Sequence, residues 1–462
     1  MQMKLLKAAI FIAAAAAAQF AQAKQEQKSN VYRAGDTASM VGDSITAGGW
    51  YTANIMLYYA TRFPEMPLDF RNIGIPGDSC RGLLGRMDWD IISQLGKDNS
   101  VAVLMIGMND VGSRKFENPN DPELKAKILA TRKKYAENLS KVVDAISANT
   151  RKLVLFTPSI FDQTAELPAP NRFGANDELV VFGQIGAKLA AEKKNACVVD
   201  MSKAMLEANA KLQNAEGKKK TIIGGDRVHP KFPGGLVMLD KWLTDLGEPR
   251  EVSNVEIRAG NGTPIRAFNC DISNLESSKT RVSFSSLEAA LPFPVPKDSQ
   301  WVLKYIDFQS AFNREILKIT GLEKGSYEVK IDGEKVGTFS AEELAGGVNL
   351  AQMASAPQYK QAEAVLEKCL QFREKAADYR GIFFVEQREA RAFAKLSTIE
   401  EKIARVKKAA AGKPAGYVKN QYLAYAKRKL RQAEMLEELK KLNAEIYKAA
   451  QPVPRKFEIK KI

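Results

Sequence analysis

Between Thr37 and about Gly247, short apolar runs alternate with longer stretches whose apolar residues recur at helical spacing. That alternation predicts successive βαβ units. The candidate strands are Ala38–Val41, Leu68–Ile73, Val101–Ile106, Leu153–Phe156 and Cys197–Val199; all but Leu68–Ile73 are mostly apolar or β-branched, as strands covered on both faces are. Helical periodicity is clearest over Pro122–Asn149 and Glu178–Lys194, and the amphipathic stretch Leu236–Leu246 can close the unit. The expected fold class is α/β, with five mostly parallel strands and helices on both faces.

From about Val255 to Phe339 the texture changes to short alternating segments broken by turns. Asp332-Gly333 lies between Tyr327–Ile331 and Glu334–Phe339, a strong hairpin signal. This stretch reads as a small β-rich unit. From about Pro357 the chain turns helical and highly charged. A break at Gly412-Lys413-Pro414-Ala415-Gly416 predicts two long helices folded back as a hairpin, with Pro452-Val453-Pro454 ending the second. The expected division is a leader over 1–23, an α/β unit over 24–248, a β-rich unit over 249–350 and a basic helical region over 351–462.

The leader expectation rests on Lys4 and Lys7, an alanine-rich apolar stretch, and the small-residue site Ala21-Gln22-Ala23. It implies export to a bacterial periplasm or the cell exterior, with a mature chain starting near Lys24. No second long apolar run follows, so no membrane span is expected after cleavage. In such a compartment Cys80, Cys197, Cys270 and Cys369 could pair, but nothing in the sequence says which. A single histidine and the absence of CxxC exclude a His-rich zinc site, and neither a metal nor a cofactor is expected. The net charge of +15 is concentrated at the end, where residues 401–462 hold 17 Lys/Arg against 6 Asp/Glu. Export argues against a nucleic-acid partner. A solvated helix face is the plain reading of these bases, and contact with anionic glycans or envelope polymers is the alternative.

Four short segments carry candidate chemistry. Gly42-Asp43-Ser44-Ile45-Thr46 follows the first predicted strand, Asn72–Asp78 ends the second, and Gly107-Met108-Asn109-Asp110 ends the third. Asp226-Arg227-Val228-His229-Pro230 follows the fifth and precedes the last helix. All four converge on the carboxyl edge of the predicted sheet, where open α/β sheets place their ligands. Acyl transfer by a serine needs a base, a group to orient it, and donors for the oxyanion. His229 is the only imidazole in the chain, and Asp226 stands three residues before it. Gly77 can offer an unobstructed backbone N–H and Asn109 a side-chain amide. A second Gly-Asp-Ser at Gly77-Asp78-Ser79 makes Ser79 the rival nucleophile.

The segments GDSIT, the glycine of NIGIPGD, GMND and DRVHP resemble, in order and spacing, four sequence blocks of the SGNH (GDSL-type) hydrolase family, over roughly residues 37 to 247. The resemblance implies a flavodoxin-like, three-layer α/β/α sandwich with Ser44, Asp226 and His229 as a catalytic triad. It also implies an oxyanion hole made by the N–H groups of Ser44 and Gly77 and the amide of Asn109. The implied reaction is carboxylic ester hydrolysis through an acyl-enzyme. Export and the appended units favour an O-acetyl ester of an extracellular carbohydrate. A lysophospholipase, thioesterase or arylesterase is the alternative enzyme, and a non-catalytic glycan-binding envelope protein the alternative of another class. Asp43 reads as a brace for the serine loop, and Trp50 and Tyr51 as substrate flank or core. All four blocks end by Pro230, so residues after about Glu248 are expected to take no part in bond breaking.

Overall fold

The computed structural model describes residues 27–462, so the predicted leader lies outside the described residues. The five expected strands are β1 (Thr37–Gly42), β2 (Asp69–Asn72), β3 (Lys97–Met105), β4 (Thr150–Phe156) and β5 (Ala196–Val199). They pair in parallel in the order β2-β1-β3-β4-β5. Every residue of β1 and the last six of β3 are buried, because helices cover both faces of the sheet. The helices are Trp50–Arg62, Leu124–Ser147, Ala175–Ala191, Met201–Glu216 and Phe232–Leu246. In this strand order the crossover direction reverses between β1 and β3, which opens a crevice at their carboxyl ends.

The β-rich unit contains two sheets. One is four-stranded, with β6 (Glu251–Arg258), β7 (Arg266–Phe268), β10 (Arg314–Thr320) and β13 (Val348–Asn349). The other is five-stranded, with β8 (Cys270–Ser277), β9 (Arg281–Glu288), β11 (Ser326–Ile331), β12 (Glu334–Ser340) and β14 (Arg455–Lys461). The predicted Asp332-Gly333 turn joins β11 to β12. All four cysteines are unpaired.

Two expectations need correction. The basic region over 351–462 folds back at Gly412–Gly416 as expected, but each arm of the helical hairpin is broken into two helices. It holds a 37-residue helix, Pro357–Phe393, then Ile399–Ala411, Tyr417–Leu430 and Gln432–Ala449. The break at Gly412–Gly416 falls between the middle two, and a capping box of Thr398 and Glu401 starts a helix the hairpin reading missed. The chain then returns as β14 to pair between β11 and β9, so the β-rich unit does not close at residue 350.

The second correction concerns the border at residue 248. Leu291, Phe293 and Phe308 share one continuous apolar core with the α/β unit, as do Val365, Cys369 and Phe372 of the long helix and Ile446 of the last. The reason is geometric: β2 is an edge strand, and the apolar stripe of Pro357–Phe393 covers that edge and the Trp50–Arg62 helix. Many bases of the region are neutralised locally. Arg405, Arg428 and Lys429 pair with Glu389, Asp378 and Glu386 of the long helix. Among the described residues no helix is long and apolar enough to cross a membrane.

Candidate active site

Ser44 opens a short helix, Ser44–Gly48, directly after β1. Gly42 is required there, because a Cβ would lie 2.4 Å from the Met105 carbonyl oxygen. Asp43 caps the helix by accepting from the Ile45 N–H at 2.9 Å. That hydrogen bond holds the serine turn, and burial pushes the Asp43 carboxyl up to about 7.

The His229 ring joins the two other residues expected beside it. Its Nε2 lies 2.7 Å from Ser44 Oγ, and its Nδ1 lies 2.6 Å from Asp226 Oδ2. In the tautomer carrying the proton on Nδ1, the ring donates to Asp226 and accepts from the serine hydroxyl. Asp226 Oδ1 accepts from the N–H groups of Val228 and His229 at 3.1 and 3.0 Å. Burial raises the Asp226 carboxyl, but hydrogen bonds from the His229 amide and ring and the Val228 amide outweigh it and hold it below its ordinary value. The pair faces solvent, with 45% of the His229 side chain and 54% of Asp226 exposed.

Arg227, between them, adopts φ +68°, a conformation uncommon for a side-chain-bearing residue. It is held there by its own buried guanidinium, which donates to the carbonyls of Asp162, Ala165, Leu167 and Ala169 at 2.8 to 3.1 Å. The Ile223–Pro230 bridge closes the loop at its base.

Gly77 sits at φ +81°, a conformation that calls for glycine, and a Cβ on it would lie 3.3 Å from Arg388 Nη2. Asn109 donates one amide hydrogen to the Asp78 carbonyl at 2.8 Å, which fixes the amide against the same turn and leaves its other hydrogen available. Asp110 accepts from the Cys80 N–H at 3.0 Å, and burial pushes its carboxyl up to about 6. The rival Ser79 caps the Cys80–Gly85 helix, accepting from the Gly82 N–H at 3.2 Å.

The hydroxyl of Ser44 opens into a pocket of about 380 Å³ lined by Gly48, Trp50, Gly225, His229, Pro230 and Lys231, among others. Trp50 thus takes the flanking position. Tyr51 is core: fully buried, 2.8 Å from Thr46 Oγ1 through its hydroxyl and packed on Phe156. Among the described residues, no three His, Cys, Asp or Glu side chains gather as a metal site would require.

The sequence reading missed the contribution of the long helix. Arg373 stacks over Trp50 at 3.8 Å and donates to the Gly48 carbonyl at 3.0 Å. Arg380 donates to the carbonyls of Ile73 and Gly74 and to both oxygens of Asp90. Gln387 donates to Asp78 Oδ1 at 3.0 Å. Arg388 donates to the Pro76 carbonyl at 3.2 Å. The seven-residue steps from 373 to 380 to 387 were a readable sign of one helix face. What that face covers was not readable. Residues beyond 248 therefore hydrogen-bond directly to the loops that carry Ser44 and Gly77, while the residues expected to break the ester bond all lie before Pro230.

Residues 40–234 match the GDSL-like Lipase/Acylhydrolase family. An acetylxylan esterase of Geobacillus stearothermophilus is 25% identical over 228 residues, covering 46% of this chain and 94% of that protein. The solved structure of a gut microbial diltiazem-metabolizing enzyme is 28% identical and covers 95% of this chain and 100% of that one, with a TM-score of 0.84. The β-rich and helical parts are thus shared with that enzyme as well as the α/β unit. With its ordered motifs and parallel sheet, the α/β unit is an SGNH (GDSL-type) hydrolase domain, and the chain is a carboxylic ester hydrolase.

Proposed function

We propose that the chain is an exported O-acetylesterase acting on a carbohydrate, with Ser44 as nucleophile, His229 as base and Asp226 as orienter. The observation that carries the reading is the continuous hydrogen-bonded line from Ser44 Oγ to His229 to Asp226. Ser44 Oγ attacks the ester carbonyl carbon as its proton passes to His229 Nε2. The resulting oxyanion is held by the N–H groups of Ser44 and Gly77 and the amide of Asn109. Collapse breaks the carbon–alkoxy bond, and His229 returns the proton to the leaving alcohol. Water, deprotonated by His229, then attacks the acyl-Ser44 ester, releasing the acid and restoring the hydroxyl.

Three features support a small acyl group and a polar alcohol. The pocket is of modest volume, its apolar lining amounts to little beyond Ile45, Trp50 and Pro230, and the acid–base pair is open to solvent. These features suit an acetyl group on a bulky hydrated glycan better than a long acyl chain, which needs an apolar channel. The acetylxylan esterase activity named for the Geobacillus relative points the same way. Export rests on the leader, and the unpaired bases of the terminal helices would suit an anionic glycan or envelope polymer. A second reading, an ester in a small non-carbohydrate molecule, is favoured by the whole-length similarity to the diltiazem-metabolizing enzyme.

The test compares acetate release from acetylated xylooligosaccharides with turnover of an aryl acetate, a lysophospholipid and an acyl-thioester. The glycan acetate should give the highest kcat/KM. A higher value for the aryl acetate would favour the second reading, and one for the lysophospholipid or thioester would overturn both.

A further inference from the structure

We propose that Arg388, contributed by the long C-terminal helix, is a positioning residue for the oxyanion hole. It would act through the peptide that joins Pro76 to Gly77. The inference rests on the reading that the Gly77 N–H is an oxyanion donor.

The peptide unit in question contains the Pro76 carbonyl and the Gly77 N–H, and it is trans. In a trans peptide the two groups point in opposite directions, so a donor on the carbonyl side stands behind the N–H. Arg388 Nη2 is that donor, 3.2 Å from the Pro76 oxygen. The guanidinium is fixed in turn, stacked at 3.6 Å over the Phe384 ring and donating through Nη1 to the Phe384 carbonyl at 3.3 Å. Gly77, lacking a Cβ, lets it approach this closely. Neighbouring contacts from the same helix hold the remainder of the loop: Arg380 on the Ile73 and Gly74 carbonyls, and Gln387 on Asp78.

Two physical consequences follow. A cationic donor on the carbonyl draws electron density through the amide and makes its N–H a stronger donor, the cooperative effect seen along hydrogen-bonded chains. The contact also holds the plane of a peptide whose Gly77 end, at φ +81°, has no side chain to restrict it. Both effects matter most when negative charge develops on the substrate oxygen, so they act on the transition state more than on the bound ester. The α/β unit alone does not supply this guanidinium, which gives the C-terminal helices a role in turnover itself.

The experiment uses the full mature chain with 4-nitrophenyl acetate as substrate and a benzyl trifluoromethyl ketone as mimic of the tetrahedral adduct. Arg388→Met should lower kcat by about tenfold, less than deletion of an oxyanion donor outright, with KM within about twofold of the parent. Its affinity for the ketone should fall by a similar factor, while thermal unfolding and the near-ultraviolet dichroism stay those of the parent. Arg388→Lys, which keeps a cationic donor on the same stem, should recover most of both. Unchanged kcat, a change confined to KM, or a loss of kcat without a matching loss of ketone affinity would each overturn the proposal. Asn109→Ala, run beside it, separates the two levels. If Asn109→Ala cuts kcat a hundredfold or more while Arg388→Met does nothing, the oxyanion reading stands and only the role of Arg388 fails. If neither variant affects kcat, the oxyanion hole has been misassigned and the role of Arg388 falls with it.

Discussion

Removing one arginine from a helix outside the α/β unit should destabilise the whole chain. Arg380 belongs to a four-membered network in which Asp90 receives both Arg380 and Arg86, and Arg86 also reaches Asp78. Every side chain in it is at most 2% exposed. Two positive and two negative charges thus neutralise each other in the interior. Burial pushes the Asp90 carboxyl up, but Arg380 and Arg86 outweigh it and hold it below its ordinary value. Arg380→Met keeps most of the side-chain volume and leaves one negative charge uncompensated. Breaking a buried pair from one side costs about 3–5 kcal/mol, because the surviving charge stays desolvated. With the unfolding entropy scaled to a 462-residue chain that shares one continuous core, about 1 °C per kcal/mol, Tm should fall by roughly 3–5 °C. Arg86 still bridges Asp78 and Asp90, so the lower half of that range is the better expectation. The assay is thermal unfolding by circular dichroism at pH 7, with urea unfolding as a second probe. The double variant Arg380→Met/Asp90→Leu removes the charge pair together and should recover part of the loss, since apolar replacement of a buried pair is often close to neutral. A Tm drop under about 2 °C for Arg380→Met, or a double variant no better than the single, would refute this account of the interface.

Further outcomes follow from the same geometry. A chain truncated to residues 27–250 loses Arg373, Arg380 and Arg388 and uncovers the apolar surface under the long helix; it should be largely insoluble or at least tenfold less active on 4-nitrophenyl acetate, as gel filtration and steady-state rates would show. Asn109→Ala should lower kcat about a hundred- to a thousandfold with little change in KM. The pH dependence of stability follows from the raised carboxyls: burial lifts Asp43 and Glu248 to about 7 and Asp110 and Asp240 to about 6. Groups raised in the folded state contribute their full stability below the ordinary carboxylate range, near pH 4, and lose it as pH climbs through 6 to 7. The lowered carboxyls of Asp90, Asp162 and Asp226 work in the opposite sense and lose their contribution in acid. Tm should therefore peak near about pH 5 and decline toward pH 8, and a Tm that rises steadily over that interval would contradict the burial of these groups. Because a neutral imidazole must accept the serine proton, kcat/KM should rise with pH along one limb that follows the NMR titration of His229, the chain's only histidine.

The parallel sheet was legible because its central strands β1, β3 and β4 carry buried apolar runs between amphipathic stretches, a pattern fixed by burial on both faces. Ser44, Asp226 and His229 were legible as residue types on loops flanking the sheet, since each loop carries its own chemistry and the topology brings the three into one hydrogen-bonded line. The terminal strand β14 alternates buried Phe457 and Ile459 with polar neighbours, and the preceding Pro452 and Pro454 end the last helix. The interface was not legible. Arg380 in a charged helix reads as a solvated side chain, and only its partner Asp90, 290 residues earlier, makes it buried. Helical periodicity shows which stripe is apolar; which surface the stripe covers is decided by tertiary packing.

The proposed mechanism requires that Ser44 be acylated during turnover. The most direct measurement is mass spectrometry of the protein after reaction with a fluorophosphonate, followed by peptide mapping. One stoichiometric adduct is expected on the peptide containing Ser44, lost in Ser44→Ala and slowed in His229→Ala. An adduct on Ser79, or an undiminished adduct in Ser44→Ala, would contradict it.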